Sequence, residues 1–155
     1  MPEKKTIQRA RRDLKSGKRP TTAAGEFVHE EIDHVREGKH GARSTKQAIA
    51  IGLSKARRAG VPLAPPTKGK VSERTRRSAQ RDAEVGQGKR KAKPKSPARS
   101  RAAKGALKRE GSRAASKVAL SKQAKQAAST RRRAASRSAS RRRGTGTSPA
   151  HPRSP

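Results

Sequence analysis

The stretch EEIDHVREGKHGARSTKQAIAIGLSKARRAGVP, residues 30–62, decides the fold because acidic residues, branched apolar residues and helix-boundary signals occur together in it. Ser44 and Gln47 have the spacing of a capping box, which predicts that a helix begins here. Gly60 and Pro62 predict where that helix ends. The apolar side of this helix comprises Ala48, Ile49, Gly52, Leu53 and Ala56. Ile51 is expected to point away from that side.

Another helix is predicted on the N-terminal side of the one that begins at Ser44. Thr21 or Thr22 can cap its start after Pro20, and Gly38 is suited to a left-handed stop. Its apolar stripe, with Phe27 at the flank, consists of Ala24, Val28, Ile32 and Val35. Its polar residues Glu26, Glu30, Asp33 and Arg36 are expected to lie largely on the solvent face. The short loop 39–43 then joins two antiparallel helices into an αα-hairpin.

The segment before this hairpin carries one narrow apolar face, formed by Ile7, Ala10 and Leu14. Gly17 and Pro20 end the segment. Two interpretations stay open, because so short a helix is unstable alone: a helix that braces the hairpin, or a solvated basic arm with accidental periodicity.

The fold class is therefore predicted as mostly α, with a small helical head and a long basic tail. Residues 1–20 form a basic N-terminal arm or short helix, and residues 21–63 form the hairpin head. Residues 64–88 are a linker, in which 71–85 can form a helix with few apolar residues. Residues 89–155 are a disordered cationic tail. The head has few large apolar side chains, so we expect marginal stability, helped by homo-oligomerisation or by a ligand.

The charge distribution predicts the partner. Residues 1–66 hold 15 Lys+Arg against 7 Asp+Glu, whereas residues 67–155 hold 28 against 4, giving +32 overall. Such a surplus repels itself unless a polyanion is present, which favours nucleic acid over anionic membranes or acidic proteins. The sequence has no apolar run of membrane-spanning length, no signal-peptide pattern and no cysteine. We therefore expect a cytoplasmic, nucleoid protein that binds no membrane.

The tail is low in complexity and rich in Lys, Arg, Ala and Ser. Alanine and lysine favour helix, so residues 112–129 are expected to fold when phosphates neutralise their charge. Residues 145–155 are rich in Pro, Ser and Gly and are expected to stay disordered.

Catalysis and metal binding find little support in the sequence pattern. His29 and His34 bracket two glutamates, but their i, i+5 spacing turns the imidazoles apart on a helix, whereas a zincin motif needs i, i+4. With one Phe and no Tyr or Trp, a closed active-site cavity is hard to build. The sequence therefore predicts a non-enzyme without cofactor or metal.

The candidate nucleic-acid contacts are basic residues around the second hairpin helix, in the linker and in the tail. They are Arg43, Lys46, Lys55, Arg57, Arg58, Arg74, Arg76, Arg77, Lys89, Arg90, Lys91, Lys93, Lys95, Arg99, Arg101, Arg131, Arg132, Arg133, Arg141, Arg142 and Arg143. Lys and Arg in such biased sequence contact phosphates rather than bases. Because aromatic stacking platforms are absent, duplex DNA is preferred over single strands.

Three functions remain in competition at this stage. The preferred one is non-specific, largely electrostatic DNA binding by a histone-like, nucleoid-associated protein. The first alternative is an RNA-binding or ribosome-associated accessory protein, and the second is a protein-binding scaffold whose tail is only a tether.

Residues 25–61 also resemble a small bacterial domain-of-unknown-function family. Its members carry a similar R-S-x-K-Q-A-I-A-I-G-L-S-x-A-R-x-A-G core, which stands here as RSTKQAIAIGLSKARRAG. With the N-terminal PEKKT, the resemblance covers about the first 60 residues. Members are often labelled DNA-binding protein, so the resemblance implies the same function here and brings no catalytic residues. The tail is similar in composition to the lysine-rich tails of bacterial histone-like proteins.

Overall fold

The computed structural model describes residues 2–94 and 96–144, with side chains described as far as Ala139. Its helices are α1 (Lys4–Lys15), α2 (Pro20–Arg36), α3 (Thr45–Arg58), α4 (Glu73–Gly86), α5 (Pro97–Arg109) and α6 (Lys117–Gly144), with a 3-10 turn at Arg113–Ala115. No strand occurs among the described residues. The prediction of a mostly α fold is confirmed. The chain divides into two units, Met1–Leu120 and Ser121–Pro155.

The hairpin of α2 and α3 is antiparallel, as the sequence predicts. Ala48, near the start of α3, packs with Val35 near the end of α2. Ala56, near the end of α3, packs with Phe27 in the first half of α2. Gly52 lies between these contacts, where a Cβ would come within 2.7 Å of the Val28 Cα. The two backbones approach this closely because Gly52 carries no side chain.

The first segment is a helix and not a solvated arm. Ala10 is 1% exposed and packs with Phe27 in the first hydrophobic cluster, and Ile7 and Leu14 pack against the same cluster. The apolar face that the sequence shows is therefore the face by which α1 contacts α2. This decides between the two interpretations in favour of the bracing helix.

The helix boundaries follow local chemistry. Ser44 caps α3 by accepting a hydrogen bond from the Gln47 backbone N–H at 3.2 Å. The Gln47 side chain reaches back to the Arg43 backbone N–H at 2.8 Å, one residue earlier than in a standard capping box. Gly38 and Gly60 have φ of 71° and 91°, which confirms both predicted stops.

Two sequence-based expectations for α2 are wrong. The helix begins at Pro20, not at Thr21 or Thr22, because proline is well suited to the first helical position. Glu30 does not face solvent: it is 5% exposed, and its neighbour Glu31 is 1% exposed. Both carboxylates are turned inward because Lys55 of α3 lies within ion-pair distance of each.

Helix α4 docks on α3 through a polar anchor. Asp82 is 7% exposed, accepts a hydrogen bond from the Ser54 hydroxyl at 2.5 Å and pairs with the Arg58 Nε at 2.7 Å. Ala79 and Ala83 on the same face of α4 are also buried. The region 71–85 is thus helical as its sequence allows, and a buried carboxylate replaces the apolar stripe that it lacks.

Part of the predicted tail folds back onto the hairpin head. The Leu107 and Gly111 carbonyls accept backbone hydrogen bonds from Gly41 and Ala42 at 2.9 and 3.3 Å. Ala115 is fully buried in a second hydrophobic cluster with Val35 and Ala48. The stretch from Leu107 to Ala115 therefore belongs to the first unit.

The described part of residues 89–155 is largely helical where the sequence predicts disorder. Helix α5 has no buried residue, and Val118 near the start of α6 is 78% exposed. Alanine-rich composition, and not packing, accounts for these helices. The expectation of disorder for 145–155 falls outside the described residues.

Candidate nucleic-acid interface

The acidic residues of this protein are almost all occupied by internal ion pairs. Within the described part of the chain, ten of the eleven carboxylates lie within 4 Å of a Lys or Arg nitrogen, Glu110 being the remaining acidic residue. All of these ion pairs fall between Glu3 and Arg90. The carboxylates of the head and of α4 are thus compensated locally.

Five of the sequence-predicted nucleic-acid contacts take part in these pairs. They are Lys55, Arg58, Arg76, Arg77 and Arg90. Lys55 lies 2.6 Å from the buried Glu31, so a phosphate would have to compete with a desolvated carboxylate for its ammonium group. Arg77 and Arg90 are more exposed and can share their charge with a second partner.

Arg57 is placed inside the protein. Its residue is 7% exposed, and one guanidinium nitrogen donates to the Ala64 carbonyl at 3.3 Å. Burial lowers the pKa of Arg57, and the nearby Asp82 charge opposes this effect. Since an arginine stays protonated even so, its charge is balanced by Asp82 and does not face solvent. Arg57 therefore braces the junction of α3 with the following loop.

Eleven other predicted contacts are exposed to solvent. They are Arg43, Lys46, Arg74, Lys89, Lys91, Lys93, Arg99, Arg101, Arg131, Arg132 and Arg133. Lys95 and the side chains of Arg141, Arg142 and Arg143 lie outside the described part of the structure. The exposed set is spread along the sequence from the start of α3 to α6.

The start of α3 offers little for reading bases. Lys46 is exposed, but the Gln47 side-chain oxygen is used in the cap that holds the Arg43 backbone. A recognition helix reads base edges with side chains near its N-terminus. With the Gln47 oxygen engaged in the cap, Lys46 remains exposed at this end of α3, and its ammonium group suits a phosphate.

The second unit contains basic residues but no acidic residue. From Ser121 to Gly144 it holds nine Lys+Arg and no acidic residue. Every described side chain from Ser129 to Ala139 is exposed. The Arg131 guanidinium donates to the Ala127 carbonyl at 3.2 Å, one turn back along the helix. Such a helix presents a row of cations to any phosphate chain that follows its surface.

Sequence reasoning omitted several exposed cations of the same kind. They include Lys104, Lys117, Lys122, Lys125 and Arg137. For Lys117, Lys122, Lys125 and Arg137 the signal is present in the sequence, because no Asp or Glu follows Glu110.

No family model, curated protein or solved structure matches this chain. Among the described residues, no helix combines the length and apolar character needed to cross a membrane.

Proposed function

We propose that this protein binds duplex DNA non-specifically, as a histone-like, nucleoid-associated protein. One observation carries the proposal: carboxylates are paired inside the first unit, while residues 111–155 contain no acidic residue at all. A long run of cations in a stretch of sequence without acidic residues attracts a polyanion and not a small anionic ligand. The resemblance of residues 25–61 to a family often labelled DNA-binding points in the same direction.

Phosphate neutralisation supplies the binding free energy in this mechanism. Each Lys or Arg that contacts a phosphate releases a condensed counterion, so affinity falls steeply as salt rises. The side chains of Arg131, Arg132 and Arg133 are exposed together and suit narrow minor grooves, whose negative potential attracts arginine. Because these contacts read charge and shape, binding is expected to be independent of sequence.

The helix of the tail is proposed to be stabilised by the nucleic acid. Adjacent arginines at 131–133 repel one another, and the sequence offers no acidic residue nearby to offset them. Phosphates remove that repulsion, after which the helix propensity of the alanines decides the conformation. Helix α6 is accordingly proposed to be only marginally stable in the free protein and to be stabilised when DNA is bound.

The scarcity of aromatic side chains favours duplex DNA over RNA as the partner. Modules that recognise single strands or RNA loops stack bases on aromatic rings. The chain has one aromatic residue of this kind, Phe27, and it is fully buried in the first hydrophobic cluster. A stacking platform is therefore absent from the described surface.

The test is a competition titration of the full-length protein across a salt series. Labelled duplex DNA is offered against a structured RNA of equal length and equal charge. We expect preference for the duplex, a steep salt dependence and equal affinity for unrelated duplex sequences. Preference for the RNA, or binding that does not weaken with salt, would contradict the proposal and favour the accessory-protein alternative.

A further inference from the structure

A buried carboxylate near the end of α2 lacks a well-formed hydrogen bond. Glu31 is 1% exposed, and neither of its carboxylate oxygens accepts a hydrogen bond of acceptable geometry. Two cationic or potentially cationic groups lie near it, one on each oxygen: the Lys55 Nζ at 2.6 Å from Oε2, and the His40 Nε2 at 3.3 Å from Oε1. A buried carboxylate without hydrogen-bond donors is strongly destabilised unless a positive charge lies next to it.

Two histidines converge on this carboxylate. His34 lies three residues after Glu31 on the same face of α2, and the loop after Gly38 brings His40 back toward it. One ligand atom of each of the three residues lies within 4.8 Å of the other two. The two imidazole rings meet edge to face, with centroids 6.1 Å apart. Both side chains are partly exposed, at 14% and 21%, which leaves a path for an ion to enter.

The hydrogen bond on the far side of His40 fixes which nitrogen faces Glu31. His40 Nδ1 lies 3.1 Å from the Gly41 carbonyl oxygen, which can only accept, so Nδ1 carries a proton. In the neutral ring, Nε2 then directs a lone pair at a carboxylate oxygen 3.3 Å away. That contact is repulsive unless a cation lies between the two atoms, and that cation is either a proton or a metal ion. A backbone carbonyl that holds the opposite ring nitrogen is the usual support of a metal-binding histidine.

We propose that Glu31, His34 and His40 bind a divalent transition metal of the zinc class. Two imidazoles and one carboxylate are ligands that Zn²⁺ prefers in proteins. Ligand bonds of about 2.1 Å in a tetrahedron separate neighbouring ligand atoms by about 3.4 Å, close to the spacing of His40 Nε2 and Glu31 Oε1. Solvent, or the Glu3 carboxylate 3.2 Å from His34 Nε2, supplies the fourth ligand.

The surrounding charges are compatible with a bound cation at this site. Glu3 and Glu30 add negative charge on one side, and Glu30 also accepts from the Glu3 backbone N–H at 3.3 Å. Lys55 and Lys39 add positive charge, but Lys55 contacts the Glu31 oxygen that faces away from His40. The ion therefore occupies the Oε1 side of Glu31, while Lys55 stays on Oε2.

This site does not use the His29–His34 pair, whose i, i+5 spacing turns the two imidazoles apart on a helix. His29 is 70% exposed and pairs with Asp33 at 2.9 Å on the outer side of α2. The partner of His34 is instead His40, a loop residue whose position depends on the hairpin. Metal binding would tie the end of α2 to the loop before α3, independently of any nucleic acid.

The test is a titration of metal-free full-length protein with Zn²⁺, followed by calorimetry. We expect one ion to bind, and Glu31→Gln and His40→Gln each to weaken binding about tenfold or more, since even indirect supports of a ligand cost that much. His29→Gln is the matched control and is expected to bind like the parent. Equal affinity in all three variants, or a loss confined to His29→Gln, would overturn the site.

A second readout on the unsubstituted protein covers the case in which Glu31→Gln does not fold. Zn²⁺ addition is expected to shift the imidazole ¹⁵N resonances of His34 and His40 and to leave those of His29 in place. Unchanged resonances for His34 and His40 would overturn the proposal whatever the variants do.

Discussion

Gly52 shows how one missing side chain sets the spacing of the hairpin. A Cβ at this position would come within 2.7 Å of the Val28 Cα and 3.0 Å of the Phe27 carbonyl oxygen, both backbone atoms that cannot rotate aside. We expect Gly52→Ala to lower the free energy of unfolding by about 1–2 kcal/mol, because overpacking outweighs the better helix propensity of alanine.

Gly25→Ala in α2 is the matched control for Gly52→Ala, since nothing lies within 4 Å of its added Cβ. It is expected to raise the free energy of unfolding by about 0.5–1 kcal/mol. Urea denaturation of both variants measures the two effects. A Gly52→Ala protein as stable as its Gly25→Ala counterpart would contradict the close approach of α2 and α3.

Glu73 gives a prediction about pH. Hydrogen bonding from Arg76 lowers the pKa of Glu73 from its ordinary value of 4.5 to about 2. Since the folded pKa is depressed, the contribution of Glu73 to α4 is complete above pH 4.5 and is lost as the pH falls toward 2. Carboxyl ¹³C titration by NMR should place its midpoint near 2 in the parent and nearer 4.5 in Arg76→Gln. The same midpoint in both proteins would exclude the ion pair.

At the scale of single residues, the burial of charged side chains could not be predicted from the sequence. Glu30 and Glu31 look like solvent-face residues because the helical period places them beside other polar residues. Their partner Lys55 is more than twenty positions away, and only the packing of α3 on α2 brings it to them. The same non-local packing brings His40 to Glu31, which no spacing rule within one helix predicts.

At the scale of elements, α4 depends on Asp82. Replacing this carboxylate by asparagine removes the charge that holds Arg58 and balances the buried Arg57. We expect Asp82→Asn to destabilise the docking of α4 by about 2 kcal/mol. Amide hydrogen exchange should show faster exchange across Glu73–Gly86, with α2 little changed.

Glu84→Gln provides the control for Asp82→Asn. Glu84 pairs with Arg90 at 3.3 Å where both side chains are partly exposed, and such pairs contribute little. Unchanged exchange in Glu84→Gln is therefore expected. Equal exchange rates in Asp82→Asn and the parent protein would show that α4 is held by other contacts.

Elements whose signals are local could be predicted from the sequence. Ser44, Gly38 and Gly60 mark helix ends through their own chemistry, and each acts as expected. The docking of α4 and the return of Ala115 to the hairpin could not be predicted, because both depend on contacts between distant segments. Ala115 in particular is a small residue in a biased stretch, where nothing local distinguishes a buried alanine from an exposed one.

Helix α6 gives a second prediction at this scale. Its described residues beyond Ser129 are exposed, and like charges oppose its formation in the free protein. We expect the far-UV circular dichroism of the full-length protein to gain helical signal when short duplex DNA is added. A helical signal that is already complete without DNA would contradict ordering on the nucleic acid.

At the scale of the whole molecule, the arrangement of charge separates two kinds of basic residue. Those before Lys91 include the ion-pair partners of the carboxylates, and these paired residues connect elements of the fold. Those after Glu110 lie in a stretch of sequence without acidic residues, which favours a polyanion as their partner. Net charge alone predicts a polyanionic partner, but only the ion pairs distinguish structural cations from candidate contacts.

The central claim is that exposed cations of the second unit bind phosphates. Its most direct test is the salt dependence of duplex DNA binding by full-length protein in which Lys122, Lys125, Arg131, Arg132, Arg133 and Arg137 are replaced by glutamine. Alanine replacement of Ser121, Ser129, Ser136 and Ser138 is the control that keeps the charge. If all six cations contact phosphates, the slope of log K against log salt loses about 5 units of magnitude. An unchanged slope, or an equal loss in the serine control, would contradict the claim.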